Sequence, residues 1–95
     1  MCSGCVESDV ENRLMEWSGV LLKSDVRSSV STVTLDTGHG VKTKVWHFSY
    51  PVLESLDMNS SYVFVSSVKY KFGTARTLPQ LVEIRDEMNM TIWKS

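Results

Sequence analysis

Apolar and polar residues alternate along much of the chain. Over residues 15–23, Trp17, Gly19 and Leu21 alternate with Ser18, Val20 and Leu22. That two-residue period predicts a strand. Upstream, Ser8-Asp9-Val10-Glu11 has capping-box spacing, and Val10, Leu14 and Trp17 follow at helical spacing, so a short helix competes there. Residues 24–29 are polar and read as a loop. A second strand is predicted over residues 30–36, with Val33 and Leu35 on one face. Thr37-Gly38-His39-Gly40 reads as a tight turn. The third strand, residues 41–48, has the faces Val41/Thr43/Val45/His47 and Lys42/Lys44/Trp46/Phe48. Pro51 then opens a short helix carrying Val52, Leu53 and Leu56, which ends at Asp57-Met58-Asn59-Ser60. A fourth strand covers residues 62–71, with a change of parity at Ser66-Ser67 that predicts a bulge or bend. After a hairpin loop at Gly73-Thr74-Ala75-Arg76, a fifth strand covers residues 78–84, with Pro79 at its start or on an edge.

The predicted fold class is therefore all-β with one short helix. Composition agrees: the 95 residues include 13 Val, 7 Thr and 14 Ser but one Ala, usage that suits strands and disfavours a helical bundle. Strand, strand, strand, short helix, strand, strand is the plan of the OB fold, a five-stranded antiparallel barrel. Residues 1–13 read as a flexible or partly helical tail, 14–85 as the domain and 86–95 as a C-terminal extension.

Several segments resemble a known family. Trp17-Ser18-Gly19-Val20-Leu21 looks like a first OB strand with its glycine. Leu35-Asp36-Thr37-Gly38 looks like the turn between the second and third strands. Tyr62-Val63-Phe64-Val65 and Val68-Lys69-Tyr70-Lys71-Phe72-Gly73 look like the fourth strand and its exit loop. Over residues 14–85 the chain is similar to single-stranded-DNA-binding OB domains of the replication protein A middle-subunit type. It departs from them at Ser67, where that family often has a second glycine, and in a missing or very short C-terminal helix. The resemblance implies a non-enzymatic module binding single-stranded DNA, a small subunit of a replication, repair or telomere complex.

Charge sharpens this expectation. The net charge is only −1, but residues 1–40 carry −3 and residues 41–78 carry +3. Lys42, Lys44 and Trp46 share a face of the third strand, while Lys69, Tyr70, Lys71, Phe72 and Arg76 mark the fourth strand and its loop. Cations for phosphates interleaved with aromatics for bases are what a single strand requires. In the competing reading Trp46 fills the core, the lysines are a solvated face, and the module is a protein–protein adaptor. Met88, Met90, Ile92 and Trp93 are either a cover for one end of the barrel or a docking strip for another protein.

Other chemistry is weaker. Asp36-Thr37-Gly38 matches the triplet of aspartic proteases, but no later apolar-apolar-Gly segment accompanies it, so a hairpin turn is the expected role. Cys2 and Cys5 have metal-ligand spacing without two further ligands; His39 and His47 sit in no zinc pattern. No cofactor, metal, membrane or small-molecule substrate is expected. The first residues carry neither a basic region nor an apolar stretch, which predicts a nuclear or cytoplasmic rather than secreted protein.

Overall fold

A computed structural model describes residues 10–95. Cys2 and Cys5, with most of the predicted tail, lie outside the described residues. Seven strands form one antiparallel sheet: β1 (Val10–Val26), β2 (Ser31–Asp36), β3 (Val41–Trp46), β4 (Ser61–Lys71), β5 (Thr74–Ala75), β6 (Gln80–Asp86) and β7 (Thr91–Lys94). The order is β3-β2-β1-β4-β6-β7, with β5 beside β4. The predicted helix is a single 3-10 turn over Pro51–Ser55. β1 starts at Val10, so the strand takes the stretch for which a helix competed. Register with β4 explains this: Val10 to Val20 pair without interruption with Lys71 to Ser61.

The sheet is open. Among the described residues no backbone pairing joins β3 to β6 or β7, and a hydrogen-bonded closed barrel is not formed. Side chains span the gap instead. The Trp46 indole Nε1 donates to Ser66 Oγ across 2.8 Å, linking β3 to β4. The Leu81 N–H donates to Tyr50 Oη at 3.0 Å, linking the loop after β3 to β6. Tyr50 also meets Trp93 of β7 edge-on, with ring centroids 5.9 Å apart. One cluster lies inside the curl, built on Leu21, Val33, Leu35, Trp46, Leu53, Phe64, Leu81 and Ile84.

The curl needs local irregularities. Leu22 is an extra residue in β1 opposite β2, and Ile92 an extra residue in β7 opposite β6. The predicted irregularity at Ser66 is real but sits across the ladder, where Val82 is the extra residue in β6. Such bulges bend a strand and increase its twist. Gly19 permits the tightest approach: a Cβ there would lie 2.7 Å from the Asp36 carbonyl oxygen. Backbone cannot yield as a side-chain tip can. Gly19→Ala is therefore expected to lower stability by about 1–3 kcal/mol, the usual cost of overpacking. Chemical denaturation would measure it, and an unchanged midpoint would contradict the close packing.

Among the described residues every buried side-chain polar atom has a hydrogen-bond partner. Ser31, fully buried, donates to the Phe48 carbonyl at 2.7 Å and accepts from the Tyr50 N–H at 2.9 Å. This pins the chain leaving β3 so that Tyr50 can reach β6. The Tyr62 hydroxyl accepts from the Asp57 N–H at 2.9 Å and fixes the other end of that crossing.

One part lies outside the core. β6 leaves β4 at Ser67, so Val68 to Lys71 pair only with β1 and β5. The result is a narrow projecting ribbon. The molecule measures 54 × 29 × 24 Å with a radius of gyration of 15.4 Å, where a compact chain of this length gives about 12 Å.

Candidate nucleic-acid interface

The ribbon holds most of the residues singled out from the sequence. Lys71 and Thr74 pair across a two-residue loop, Phe72-Gly73, in which both residues have positive φ, 53° and 76°. That is the geometry of a type I′ hairpin turn, whose twist matches the flanking strands. Gly73 occupies it freely, but phenylalanine in this region is strained. Phe72 is nevertheless 73% exposed at the tip. The returning chain is held by the Arg76 N–H donating to the Lys69 carbonyl at 2.7 Å. Thr77 Oγ1 accepts from the Lys69 N–H at 3.0 Å.

Alternation divides the ribbon into two faces. Phe64, Ser66, Val68 and Tyr70 lie on the concave face, and Arg13 and Trp17 join them because they pair with Val68 and Phe64. The Arg13 guanidinium stacks 4.2 Å from the Tyr70 ring centroid. Further in, the Lys44 ammonium sits 3.5 Å from the Trp17 ring centroid. Partial burial against that ring lowers the Lys44 pKa from its ordinary value. Lys69 and Lys71 belong to the other face, with the Lys71 ammonium 5.5 Å from the Phe72 ring at the tip. Arg76 is exposed beside them.

Five of the eight residues predicted for this role, Lys69, Tyr70, Lys71, Phe72 and Arg76, thus lie on the ribbon. Lys42 is exposed on β3 and Lys44 reaches β1. Trp46 is 1% exposed and packs on Phe64 and Tyr50. It cannot stack on a base, because the curl carries the end of β3 into the core. Arg13 and Trp17 were missed. Their signal was present, since Arg13 and Met15 extend the alternation of Trp17, Gly19 and Leu21, but helical spacing across the same stretch masked it.

The C-terminal strip divides in two. Trp93 is half-buried against Tyr50, so it covers the gap in the sheet. Met88, Met90 and Ile92 are exposed on the β6–β7 hairpin, where Asp86 Oδ1 accepts from the N–H groups of Met88 and Met90 at 2.9 and 3.0 Å. Trp93→Ala is expected to cost roughly 2–3 kcal/mol, less than the ~3–5 kcal/mol of a fully buried tryptophan. Unfolding at unchanged denaturant concentration would show that Trp93 covers nothing.

A cleft of about 570 Å³ lies toward the other end of β4, between Gly19, Tyr62, Asp36, Asp86 and Glu87. Asp36 is committed to its hairpin, where Oδ1 accepts from the Gly38 N–H at 3.0 Å. Basic ribbon and acidic cleft therefore occupy separate ends. Compared with protein-family models, curated proteins and solved structures, the chain matches none.

Proposed function

We propose that the protein is a non-enzymatic module that binds single-stranded nucleic acid on its β1/β4/β5 ribbon. The observation that carries this reading is Phe72. A strained backbone conformation at an exposed site points to a use for the side chain, and this aromatic ring stands at the tip with the Lys71 ammonium 5.5 Å away. Tyr70 under Arg13 and Trp17 under Lys44 continue an aromatic–cation series toward β3. A single strand offers both π faces and phosphates, and ligand grooves of OB folds are lined by the second and third strands and the loop to which this ribbon corresponds.

The OB-type reading rests on the meander β1-β2-β3, the 3-10 crossing and the return of β4 to the other side of β1. A small subunit of a DNA replication, repair or telomere assembly, nuclear or cytoplasmic, fits this reading. No helix among the described residues is long and apolar enough to cross a membrane. Exposed Met88, Met90 and Ile92 favour a second reading, a protein-binding adaptor with no nucleic-acid contact.

Amide chemical-shift mapping separates the two. Titration with an oligothymidylate is expected to shift residues 10–17, 42–44 and 68–76. Shifts confined to the β6–β7 hairpin, or none at low salt, would favour the adaptor.

A further inference from the structure

The backbone of β1 has two edges, and they are used unequally. Leu21 donates its N–H to the Ser60 carbonyl and accepts from the Asn59 N–H, so its backbone groups face the β4 side. Alternation then turns the groups of residues 19, 17, 15, 13 and 11 toward β4, and those of 18, 16, 14, 12 and 10 the other way. β2 takes that second edge only from Val20 onward. Among the described residues no strand pairs with the edge from Val10 to Ser18. Unpaired edges of this length are templates for another strand. This one is also apolar where it faces out, with Val10 47% and Leu14 65% exposed.

We propose that this edge pairs antiparallel with the same edge of a second copy of the chain, about a two-fold axis at Asn12. Register selects the occupant. With the axis at Asn12, Val10 faces the partner's Leu14 and Glu11 faces the partner's Arg13, and both contacts repeat by symmetry. Apolar meets apolar on one face and opposite charges meet on the other, the pairings that stabilise cross-strand neighbours. With the axis at Arg13, two arginines face each other. With the axis at Leu14, Glu11 faces Trp17 and Asn12 faces Glu16, and no opposite charges meet.

Arg13 already lies 3.4 Å from Glu11 of its own chain, but that pair is exposed on both sides. Exposed pairs contribute little, so exchanging it across the axis costs little. The axis stands normal to the sheet, so the two ribbons present their concave faces on the same side. The inference is independent of nucleic-acid binding.

Sedimentation velocity of the full chain over a concentration series tests it. A monomer–dimer equilibrium is expected. E11R and R13E, each alone, set like charges opposite one another and should be monomeric where the wild type is dimeric. An equal mixture of the two should dimerise again, an effect no loss of folding can imitate. Asn12→Pro removes an outward N–H and leaves the β4 ladder intact, so it should also be monomeric. A wild-type chain that is monomeric throughout, or a dimer that persists in both E11R and R13E, would overturn the proposal.

Discussion

Trp46→Ala is expected to destabilise the protein by about 3–5 kcal/mol, against a total of roughly 5–15 kcal/mol for a small domain. The side chain is buried, and its ring packs on both Phe64 and Tyr50. Its removal leaves a void where the edge strand β3 meets β4. It also strips Ser66 of the indole N–H that it accepts. Ser66→Ala makes the complementary test, since it leaves that N–H buried without an acceptor at a cost of about 1–3 kcal/mol. The two losses should not add, because the residues share one contact. Denaturant unfolding of the two single variants and the double variant measures this. A Trp46→Ala protein that stays as stable as wild type but binds nucleic acid weakly would mean that Trp46 is a stacking residue after all.

The second large effect concerns the ribbon, where two kinds of variant must fail differently. Phe72→Ala is expected to weaken binding to a single strand by roughly 1–3 kcal/mol, with the salt dependence nearly unchanged. Replacing Lys69, Lys71 or Arg76 with glutamine should weaken binding to every sequence, and the slope of log K against log salt should shrink by about 0.7 per lost phosphate contact. Phe72→Gly relieves the positive φ as well as removing the ring. It should therefore raise stability while lowering affinity, the combination that distinguishes a ring kept for contact from one kept for structure. All of these residues are exposed or half-buried and outside the main cluster, so unfolding curves should otherwise move little.

Much of the sheet was legible from alternation. Every predicted strand exists, and the faces assigned to Val33/Leu35 and Lys42/Lys44/Trp46 are faces of real strands. Curvature was not legible. Whether Trp46 lies under the sheet or in solvent depends on how far β3 rolls over β1 and β4. That roll depends on extra residues at Leu22, Val82 and Ile92, which pair with nothing and leave no periodic mark. Alternation fixes which residues share a face, not which end of the face is covered. The same limit explains Trp93, whose burial depends on Tyr50 reaching it across the gap. Residues 10–14 were obscured for another reason: they are mostly exposed, so hydrogen bonding to β4 rather than burial keeps them extended. The basic ribbon was found because its charges are concentrated in sequence, whereas Arg13 reaches it from an acidic segment and was overlooked.

Fluorescence anisotropy with a labelled oligothymidylate and a labelled duplex, each at two salt concentrations, tests nucleic-acid binding by the ribbon most directly. Expected are tighter binding to the single strand, weakening with added salt, and loss of most of that binding when Phe72, Lys71 and Arg76 are replaced together while unfolding is unchanged. Folded wild-type protein that binds neither oligonucleotide at low salt, or a triple variant that binds as wild type does, would contradict it.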